Sequence, residues 1–493
     1  MKNPIAIYLG KPASEFTKAD IIRYVEENKI ELMNFRYVGA DGRLKALNFV
    51  INSLEYLDTV LTCGERVDGS SLFKHLDAGA SDLYVVPRYR TAFINPFTDR
   101  PTIDILCSYF DKDGNPLESS PENIMNKAGE VMIEKTGYEF QCMGELEYYV
   151  IAESDPLYQA TDQRGYHEDT PYNKFAEFRT ECMYLIAQCG GEIKYGHSEV
   201  GNFTLDGKVY EQNEIEFLPT KMADAADQLI VAKWIIRTLG HQYGLAVTFA
   251  PKITVGKAGS GMHVHTLLLK DGKNVMLKDG VLSDESRKAI AGYLDLAPSL
   301  SAFGNTNPTA YFRLVPHQEA PTNICWGDRN RSVLVRVPLG WVGGENMAKK
   351  VNPLESADLP NLSDKQTVEF RCPDGSADIY LLLAGLCVAA RHGFEMENGL
   401  QYAKDHYVDV NIFHDEHKHI TQSLKQLPAS CWDSAEQLEA QRDIYEKYGV
   451  FSKKLIDGQI KLLRDHNDKT LRKEIGDDQE KIMALVNKFF HCG

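Results

Sequence analysis

The sequence predicts an α+β fold in which a small N-terminal domain precedes a larger one. Two strand-like runs, residues 30–38 and 43–51, flank the segment Gly-Ala-Asp-Gly, which has the composition of a hairpin turn. Amphipathic helical patterns occur in both parts of the chain, and a stretch rich in Asp, Gly and Pro at 110–123 indicates a boundary. We therefore predict domains over residues 1–112 and 113–493.

The helical segments follow from the spacing of apolar residues. Residues 18–28 have the pattern of a short amphipathic helix that precedes the hairpin. In the larger part, residues 120–137 and 220–244 are helix candidates that end at Gly, a common residue after a helix. The end of the chain, beginning at about residues 434–449, is mainly helical and strongly charged, which predicts solvated helix faces there.

The composition narrows the class of partner. The chain has 493 residues, of which 43% are hydrophobic and 25% are charged, as in an ordinary globular protein. Its net charge of −16 argues against nucleic acid or a membrane as a partner. The longest apolar run, residues 380–390, is too short to span a bilayer, and the first residues lack the apolar core of a signal peptide.

The cysteines indicate a reducing compartment. The chain has ten of them, scattered along its length, and no two form a Cys-x-x-Cys pair. This usage is typical of reduced, structural thiols in the cytoplasm and not of a disulfide framework. The same scatter argues against a zinc–thiolate site.

One spacing recurs four times in strand-like segments. In each case two charged or imidazole side chains stand two residues apart, and a strand places such residues on the same face. The four pairs are Glu145 with Glu147, Glu214 with Glu216, His263 with His265, and Glu369 with Arg371.

A single such pair is more often the exposed face of an amphipathic strand. Four pairs that all carry cation- or anion-binding groups predict a shared sheet face of Glu, His and Arg, with helices on the other face. Glu199 adds a carboxylate from a nearby segment. Carboxylate oxygens with an imidazole suit Mg²⁺ or Mn²⁺, and five or six acidic ligands are enough for two cations. Glu145 and Glu147 then tolerate each other because each faces a different cation.

Arginines cluster in the same part of the sequence and predict anionic substrates. They are Arg313, Arg329, Arg331, Arg336 and Arg371. Arg binds phosphate and carboxylate in a bidentate way, and cations together with Arg stabilise phosphoryl transfer. A P-loop is excluded because Met262 stands where that motif needs Lys, and Val264 likewise breaks a Gly-x-Gly-x-x-Gly motif.

Eight motifs in order resemble class I glutamine synthetases. The match runs from the first hairpin to about residue 395. The motifs are VDGSS (67–71), GELE (144–147), GHSE (196–199), QNE (212–214), GSGMHVH (259–265), RLVPHQEAP (313–321), RNRS (329–332) and VEFRCPDG (368–375).

The resemblance implies a fold, an assembly and a reaction. It implies an N-terminal β-grasp domain, a catalytic domain with a curved antiparallel sheet flanked by helices, and a helical C-terminal region. It also implies a cytoplasmic homo-oligomer of two stacked hexameric rings with active sites between subunits. Enzymes of this family form γ-glutamyl phosphate from ATP and glutamate, and ammonia then displaces phosphate to give glutamine.

The resemblance also implies roles for residues at the matching motif positions. Ammonium needs a negative pocket and a base, which would be Asp68 of the adjacent subunit and the mobile Glu319. Asp68 also suits a turn cap, since Asp-Gly-Ser is common in turns. By motif, one cation is held by Glu147, Glu199 and Glu214, and the other by Glu145, His263 and Glu369. Glutamate is held by Gly259, Arg313, Glu319, Arg331 and Arg371. The ATP phosphates are held by His265, Arg331 and Arg336, and the resemblance also makes Arg331 and Arg371 catalytic.

Three positions depart from the family pattern. Ala258 stands where the family usually has Asn beside glutamate, Lys194 where an acidic residue is common, and Leu267 where Ser is usual. Ala258 keeps open a related γ-glutamyl ligase that uses another amine or acid. A catalytically inactive relative and a two-metal hydrolase are further alternatives, although the matched positions all retain Glu or His and the arginines suit ATP-dependent bond formation.

Overall fold

The structure is a computed structural model that describes residues 2–73, 76, 81–315, 320–340, 346–360 and 362–493, with the side chains at 363, 415 and 418 left aside. The first part of the chain forms a mixed sheet with short helices. Its strands are β1 (Leu32–Val38), β2 (Leu44–Val50), β3 (Glu65–Asp68), β4 (Asp82–Pro87), β5 (Phe93–Ile94) and β6 (Thr102–Phe110). Its helices are α1 (Pro4–Leu9), α2 (Lys18–Glu27), α3 (Leu54–Cys63) and α4 (Gly69–Leu72).

The strand order of this sheet is β2-β1-β6-β4-β3, with β5 beside β6. The predicted hairpin is confirmed as β1 and β2, which pair in antiparallel fashion. The predicted first helix is confirmed as α2, which begins at a capping box formed by Thr17 and Asp20. Buried side chains such as Phe35, Val85 and Ile105 form the core between the sheet and the helices.

The second part of the chain is built on a larger sheet. Its strands are β7 (Glu139–Glu153), β8 (Ile193–Leu205), β9 (Lys208–Phe217), β10 (Thr220–Lys221), β11 (Ala246–Thr248), β12 (Met262–Lys270), β13 (Lys273–Asn274), β14 (Leu277–Lys278), β15 (Val281–Leu282), β16 (Trp326–Asp328), β17 (Val335–Val337) and β18 (Val368–Phe370). The main order is β16-β17-β18-β12-β7-β9-β8, and the described pairs are antiparallel except β16 with β17. Strands β14 and β15 form a separate ribbon.

Helices cover this sheet and form the C-terminal region. They are α5 (Pro121–Thr136), α6 (Ala176–Gln188), α7 (Met222–Gln242), α8 (Asp284–Gly304), α9 (Ala310–Arg313), α10 (Met347–Val351), α11 (Ile379–Glu395), α12 (Gly399–Asp405), α13 (Lys418–Ser423), α14 (Cys431–Glu446), α15 (Lys453–Arg464), α16 (Leu471–Ile475) and α17 (Gln479–Phe489). The predicted helices at 120–137 and 220–244 are confirmed as α5 and α7.

The alternation along β7 decides which face of the sheet meets the helices. Leu146, Tyr148 and Val150 are fully buried in the main core. Gly144 lies on the same face, where an added Cβ would come within 2.9 Å of the Leu229 side chain on α7. The odd-numbered residues of β7, which include Glu145 and Glu147, therefore face away from α7.

A buried ion pair joins the two parts of the chain. Arg88, which follows β4, donates to both carboxylate oxygens of Asp227 on α7, at 2.7 and 3.0 Å. Tyr380 on α11 donates to the same carboxylate at 2.7 Å. Strand β6 ends at Phe110 and α5 begins at Pro121. The boundary between residues 112 and 113 stays a prediction.

In the part of the chain described, no single helix is long and apolar enough to cross a membrane. The helices Ile379–Glu395 and Gly399–Asp405 reach a sufficient length and apolar composition only when taken together, and the chain bends by 108° between them. All ten cysteines carry free thiols, and most are buried.

Candidate active site

Three adjacent strands bring the paired residues of the sequence onto one face of the sheet. In the register of β7 with β12, Glu145 lies opposite His263. In the register of β7 with β9, Glu145 lies opposite Glu216 and Glu147 lies opposite Glu214. The predicted shared face is therefore confirmed, and we call it the site face.

Strands β17 and β18 extend the site face beyond β12. Glu369 on β18 lies opposite His265 on β12 and opposite Arg336 on β17. Arg336 donates to one Glu369 oxygen at 2.8 Å, and the Nε of Arg371 donates to the other at 3.0 Å. Each arginine thus balances part of the negative charge of the site face.

A first acid–imidazole group consists of Glu145, His263 and Glu369, the same three residues that the family resemblance implies for one cation. One ligand atom from each lies within 4.8 Å of the others. The Nδ1 atom of His263 is 2.9 Å from Glu145 and 3.5 Å from Glu369. Two carboxylates and an imidazole suit Mg²⁺ or Mn²⁺, so these residues fit a divalent cation.

A second group differs from the predicted set. It consists of His197, Glu199 and Glu214, with His197 3.2 Å from Glu214 and 3.9 Å from Glu199. Glu147, predicted in this set, uses one carboxylate oxygen to accept hydrogen bonds from the Gly261 backbone at 2.7 Å and from Gln212 at 2.9 Å. Its other oxygen lies 4.0 Å from His263, which places Glu147 between the two groups.

A third group overlaps the first at Glu145. Glu145, Glu216 and His265 also offer ligand atoms within 4.8 Å of one another. His265 lies 2.8 Å from Glu145, and Lys194 lies 2.7 Å from Glu216. Glu216 thus already has a cationic partner from the protein itself.

Burial and crowding distribute the charge of the site face unevenly. Burial raises the pKa of Glu214, and the neighbouring carboxylates of Glu145, Glu147 and Glu199 raise it further. Burial would also raise the pKa of Glu145, but His265 and His263 outweigh it and hold that pKa well below its usual range. Burial and the neighbouring carboxylates therefore oppose ionisation of Glu214, and a bound cation would favour its carboxylate form.

Burial likewise opposes ionisation of Glu369. Arg371 outweighs that effect and holds the pKa of Glu369 below its usual value. Glu369 therefore stays a carboxylate in the position where the first group needs one.

The site face forms the floor of a cleft of about 1760 Å³. The character of the floor changes along the strands. On β12, Leu267 and Leu269 follow the two histidines, and on β7 Met143 precedes the carboxylates. On the β9 side, Leu218 follows Glu216 and also lines the cleft. The cleft therefore offers both an ionic centre and an apolar stretch of floor.

The predicted arginines lie in the wall of the cleft. Arg313 is buried and donates to the Cys372 carbonyl at 2.8 Å, while its other terminal nitrogen lies 3.5 Å from the Nε2 of His263. A Cβ at Gly261 would lie only 2.6 Å from the Arg313 guanidinium, so any larger residue there would displace the guanidinium. Arg331 is exposed and also lines the cleft.

Around Gly259, the glycine predicted to bind glutamate, side chains form hydrogen bonds with the backbone. The Gly259 carbonyl accepts a hydrogen bond from Gln212 at 3.1 Å. The carbonyl of Ala258 accepts one from Tyr149 at 2.8 Å, and its N–H donates to Gln163 at 2.7 Å. Gln163 also lines the cleft, and its amide nitrogen donates to the Asn202 carbonyl at 3.1 Å, so its side chain holds two backbone segments together.

Two predicted residues are not among those that the described part of the chain places in the cleft lining, and the first cannot be located. Glu319 lies outside the described residues. Asp68 lies at the end of β3, where it caps α4 by accepting hydrogen bonds from the Ser70 backbone at 2.9 Å and the Ser71 hydroxyl at 2.6 Å. These hydrogen bonds, together with one from Ser81, hold its pKa below the usual range. Asp68 is exposed, and its predicted role toward an adjacent subunit stays a prediction.

Three residues of the site were given no ligand or positioning role from the sequence. His197 stands two positions before Glu199 on β8, which is the spacing that identified the other pairs. Gln212 stands two positions before Glu214 in the same way and holds Glu147. Glu216 belonged to a predicted pair but was left out of the predicted ligands.

Two family descriptions match the chain. The glutamine synthetase β-grasp domain matches residues 29–112, and the glutamine synthetase catalytic domain matches residues 118–479. Relatives named glutamine synthetase include that of Microchaete diplosiphon, 28% identical over 478 residues, covering 90% of this chain and 94% of the relative. That of Clostridium saccharobutylicum is 30% identical over 410 residues, covering 81% and 84%.

Solved structures show the same fold. A cryo-EM structure of Plasmodium falciparum glutamine synthetase has a TM-score of 0.76 and 20% identity, and covers 93% of this chain and 97% of that chain. A structure of apo GmaS has a TM-score of 0.71 and 19% identity, and covers 91% and 95%. The predicted fold class, a β-grasp domain followed by a catalytic domain, is confirmed.

Proposed function

The chain belongs to the glutamine synthetase family, and on this premise we propose that it joins ammonia to L-glutamate at the cost of ATP. The products are L-glutamine, ADP and phosphate. The observation that carries the proposal is the meeting of two acid–imidazole groups with arginines in one cleft. Cations and Arg together neutralise the negative charge that gathers when a phosphoryl group is transferred to an anionic acceptor.

The proposed cation ligands are the two groups of the site face. One cation is held by Glu145, His263 and Glu369, the other by Glu199 and Glu214, with Glu147 beside them and His197 close enough to contribute. When bound, Mg²⁺ or Mn²⁺ would supply positive charge that neutralises phosphate oxygens during transfer. Arg336 and Arg371, which already meet Glu369, would add positive charge from the protein.

Glutamate would be held at the Gly259 end of the cleft. Arg313 and Arg331 would bind its carboxylates, because a guanidinium donates two parallel hydrogen bonds to a carboxylate. The Gly259 backbone would add a polar contact there. Arg371 would then lie near the γ-carboxylate that becomes phosphorylated.

The proposed reaction has two steps with balanced atoms. An oxygen of the glutamate γ-carboxylate attacks the γ-phosphorus of ATP, and ADP leaves with the electrons of the broken bond. Ammonia then attacks the acyl carbon, and phosphate leaves with the oxygen that carried the phosphoryl group. Ammonium must lose a proton before the second step, and we assign its binding to Asp68 of an adjacent subunit and its deprotonation to Glu319.

This assignment makes the assembly part of the active site. The proposed form is a homo-oligomer of two stacked hexameric rings in the cytoplasm, with ATP, glutamate and ammonium as its partners. Asp68 is exposed on the N-terminal part of the chain, so it is accessible to an adjacent subunit.

A second candidate is a related γ-glutamyl ligase that uses an amine other than ammonia or a different acid. Ala258 favours it, because that position lacks the side-chain amide usual in the family. The segment Asp-Gly-Ser-Ser at 68–71 counters it, because that segment fits an ammonium pocket.

One assay separates these candidates. Phosphate release from ATP and Mg²⁺ is measured with a panel of amino acids, each combined with ammonium or with a series of alkylamines. Glutamate with ammonium should be the best pair by a wide margin. Faster release with an alkylamine would support the second candidate, and release without any acid acceptor would indicate a hydrolase.

A further inference from the structure

Strand β8 carries a bulge at the edge of the cleft. Ile193 pairs with Phe217 on β9, and Tyr195 pairs with Glu216, so β8 has one residue more than its partner between these pairs. The extra residue places Lys194 and Tyr195 together in the lining of the cleft. In a regular strand, two consecutive side chains point to opposite faces. Bulges re-aim side chains in this way and are common beside active sites.

Lys194 forms an ion pair with the buried Glu216. The ammonium nitrogen lies 2.7 Å from Glu216 and 4.9 Å from the centre of the Tyr195 ring. The Lys194 side chain is 41% exposed, whereas that of Glu216 is 2% exposed. An ammonium group has three N–H donors, and Glu216 uses one of them. The remaining donors are therefore available to a ligand in the cleft.

Lys194 also stands where the floor of the cleft changes character. On one side lie the carboxylates and imidazoles of the site face. On the other lie apolar side chains that line the cleft, among them Met143, Leu218 and Leu267. A nucleotide has an apolar base at one end and an anionic phosphate chain at the other. With its base on the apolar end, the phosphate chain would pass the ammonium group on its way to the cation ligands.

We propose that Lys194 is a nucleotide-binding residue of this enzyme and donates to the phosphate chain of ATP, with Glu216 holding its ammonium group in position. This inference rests on the proposed use of ATP. It adds a cationic side chain to His265, Arg331 and Arg336, and it assigns Glu216 as a positioning residue instead of a cation ligand. The competing interpretation is that Lys194 only neutralises a buried carboxylate.

Binding measurements with three probes distinguish these interpretations. Calorimetry with Mg²⁺ and a non-hydrolysable ATP analogue, with ADP and with adenosine reports the contribution of the phosphates separately from that of the base. The variant Lys194→Gln should bind the ATP analogue about ten- to a hundredfold more weakly, as expected for the loss of hydrogen bonds to a charged group. Adenosine and glutamate binding should change by less than about twofold. Lys194→Arg should retain most of the affinity.

Two further variants serve as controls. Lys208→Gln removes an exposed lysine at the start of β9, which pairs with β8. Lys208 lies outside the cleft lining, so this variant should leave nucleotide affinity unchanged. The double variant Lys194→Gln/Glu216→Gln removes both charges of the pair, so it restores stability if Lys194→Gln folds poorly. It should still bind the ATP analogue weakly.

The outcomes decide the matter. Wild-type affinity for the ATP analogue in Lys194→Gln would overturn the inference, and so would recovery of that affinity in the double variant, because Lys194 would then act only on Glu216. If the wild-type protein itself fails to bind nucleotide, the proposed function fails. If the wild type binds and Lys194→Gln binds equally, only the role of Lys194 is wrong.

Discussion

His263 and Glu145 lie opposite each other on adjacent strands, with the imidazole Nδ1 2.9 Å from a carboxylate oxygen. Glu145 also contacts His265 at 2.8 Å, so a single carboxylate connects two imidazoles at the centre of the site face. This residue is therefore the most informative one at which to test the proposed cation site.

The variant Glu145→Gln should lose a divalent cation. We expect wild-type protein titrated with Mn²⁺ in a calorimeter to bind two ions in each cleft. In Glu145→Gln one of the two should weaken by at least about tenfold, because loss even of an outer partner of a ligand costs that much. Glu153→Gln, an exposed change on the same strand, is the control and should match the wild type. Two unchanged binding events in Glu145→Gln would contradict the assignment.

The variant Asp68→Ala should impair use of ammonium selectively. The hydrogen bonds that lower the pKa of Asp68 keep it ionised, as an ammonium pocket needs. Ammonia-dependent glutamine formation should fall by about a hundredfold, the scale of a lost acid–base partner, while binding of ATP and glutamate is retained. Asp82→Asn is the matched control, since Asp82 lies opposite Asp68 in the pairing of β3 with β4.

Full ammonia-dependent turnover in Asp68→Ala would leave Asp68 with its capping role alone. A mixture of inactive Asp68→Ala with an inactive variant of the cleft offers a second readout. Subunits that share active sites should regain activity in such mixed oligomers. No recovery at any mixing ratio would argue against active sites between subunits.

Glu211 should make stability depend on pH. This carboxyl accepts hydrogen bonds from Asn173 at 3.0 Å and from the Lys174 backbone at 2.8 Å on the face of β9 away from the cleft. Burial raises its pKa from 4.5 to about 7. The folded protein therefore retains a proton that the unfolded chain releases, and stability falls as the pH rises from about 4.5 through about 7.

Urea unfolding at several pH values tests this expectation. Glu211→Gln cannot titrate, so its stability relative to the wild type should increase across that window by up to about 3 kcal/mol. A constant difference between the two proteins from acid to neutral pH would show that Glu211 does not titrate in this range.

The ion pair between Arg88 and Asp227 should contribute strongly to stability. Asp227→Ala leaves a buried guanidinium without its carboxylate, and we expect a loss of about 3–5 kcal/mol in the free energy of unfolding. The control is Asp58→Ala, which breaks an exposed pair with Lys18 and should cost less than about 1 kcal/mol. Equal losses in the two variants would mean that burial of the Arg88 pair has little energetic effect.

Much of the site could be predicted from the sequence because side chains alternate regularly along a strand. A two-residue spacing places Glu145 with Glu147, and His263 with His265, on one face whatever the rest of the fold. Helices such as α2 and α7 were also predictable from apolar spacing and from their end residues. These features depend only on local sequence.

Other features depend on which strands become neighbours. The pairing of His263 with Glu145 joins residues more than a hundred positions apart, and no local rule fixes that register. The bulge at Lys194 exists only relative to β9 and is invisible along β8 alone. The approach of His197 to Glu214 likewise follows from pairing of β8 with β9.

The most direct test of the account follows the oxygen atoms of the reaction. Glutamate labelled with heavy oxygen in its γ-carboxylate is converted with ATP, Mg²⁺ and ammonium, and the released phosphate is examined by mass spectrometry. Transfer of the phosphoryl group to that carboxylate predicts one labelled oxygen in each phosphate, in step with glutamine formed. Unlabelled phosphate accompanying glutamine, or phosphate released without glutamate, would contradict the mechanism.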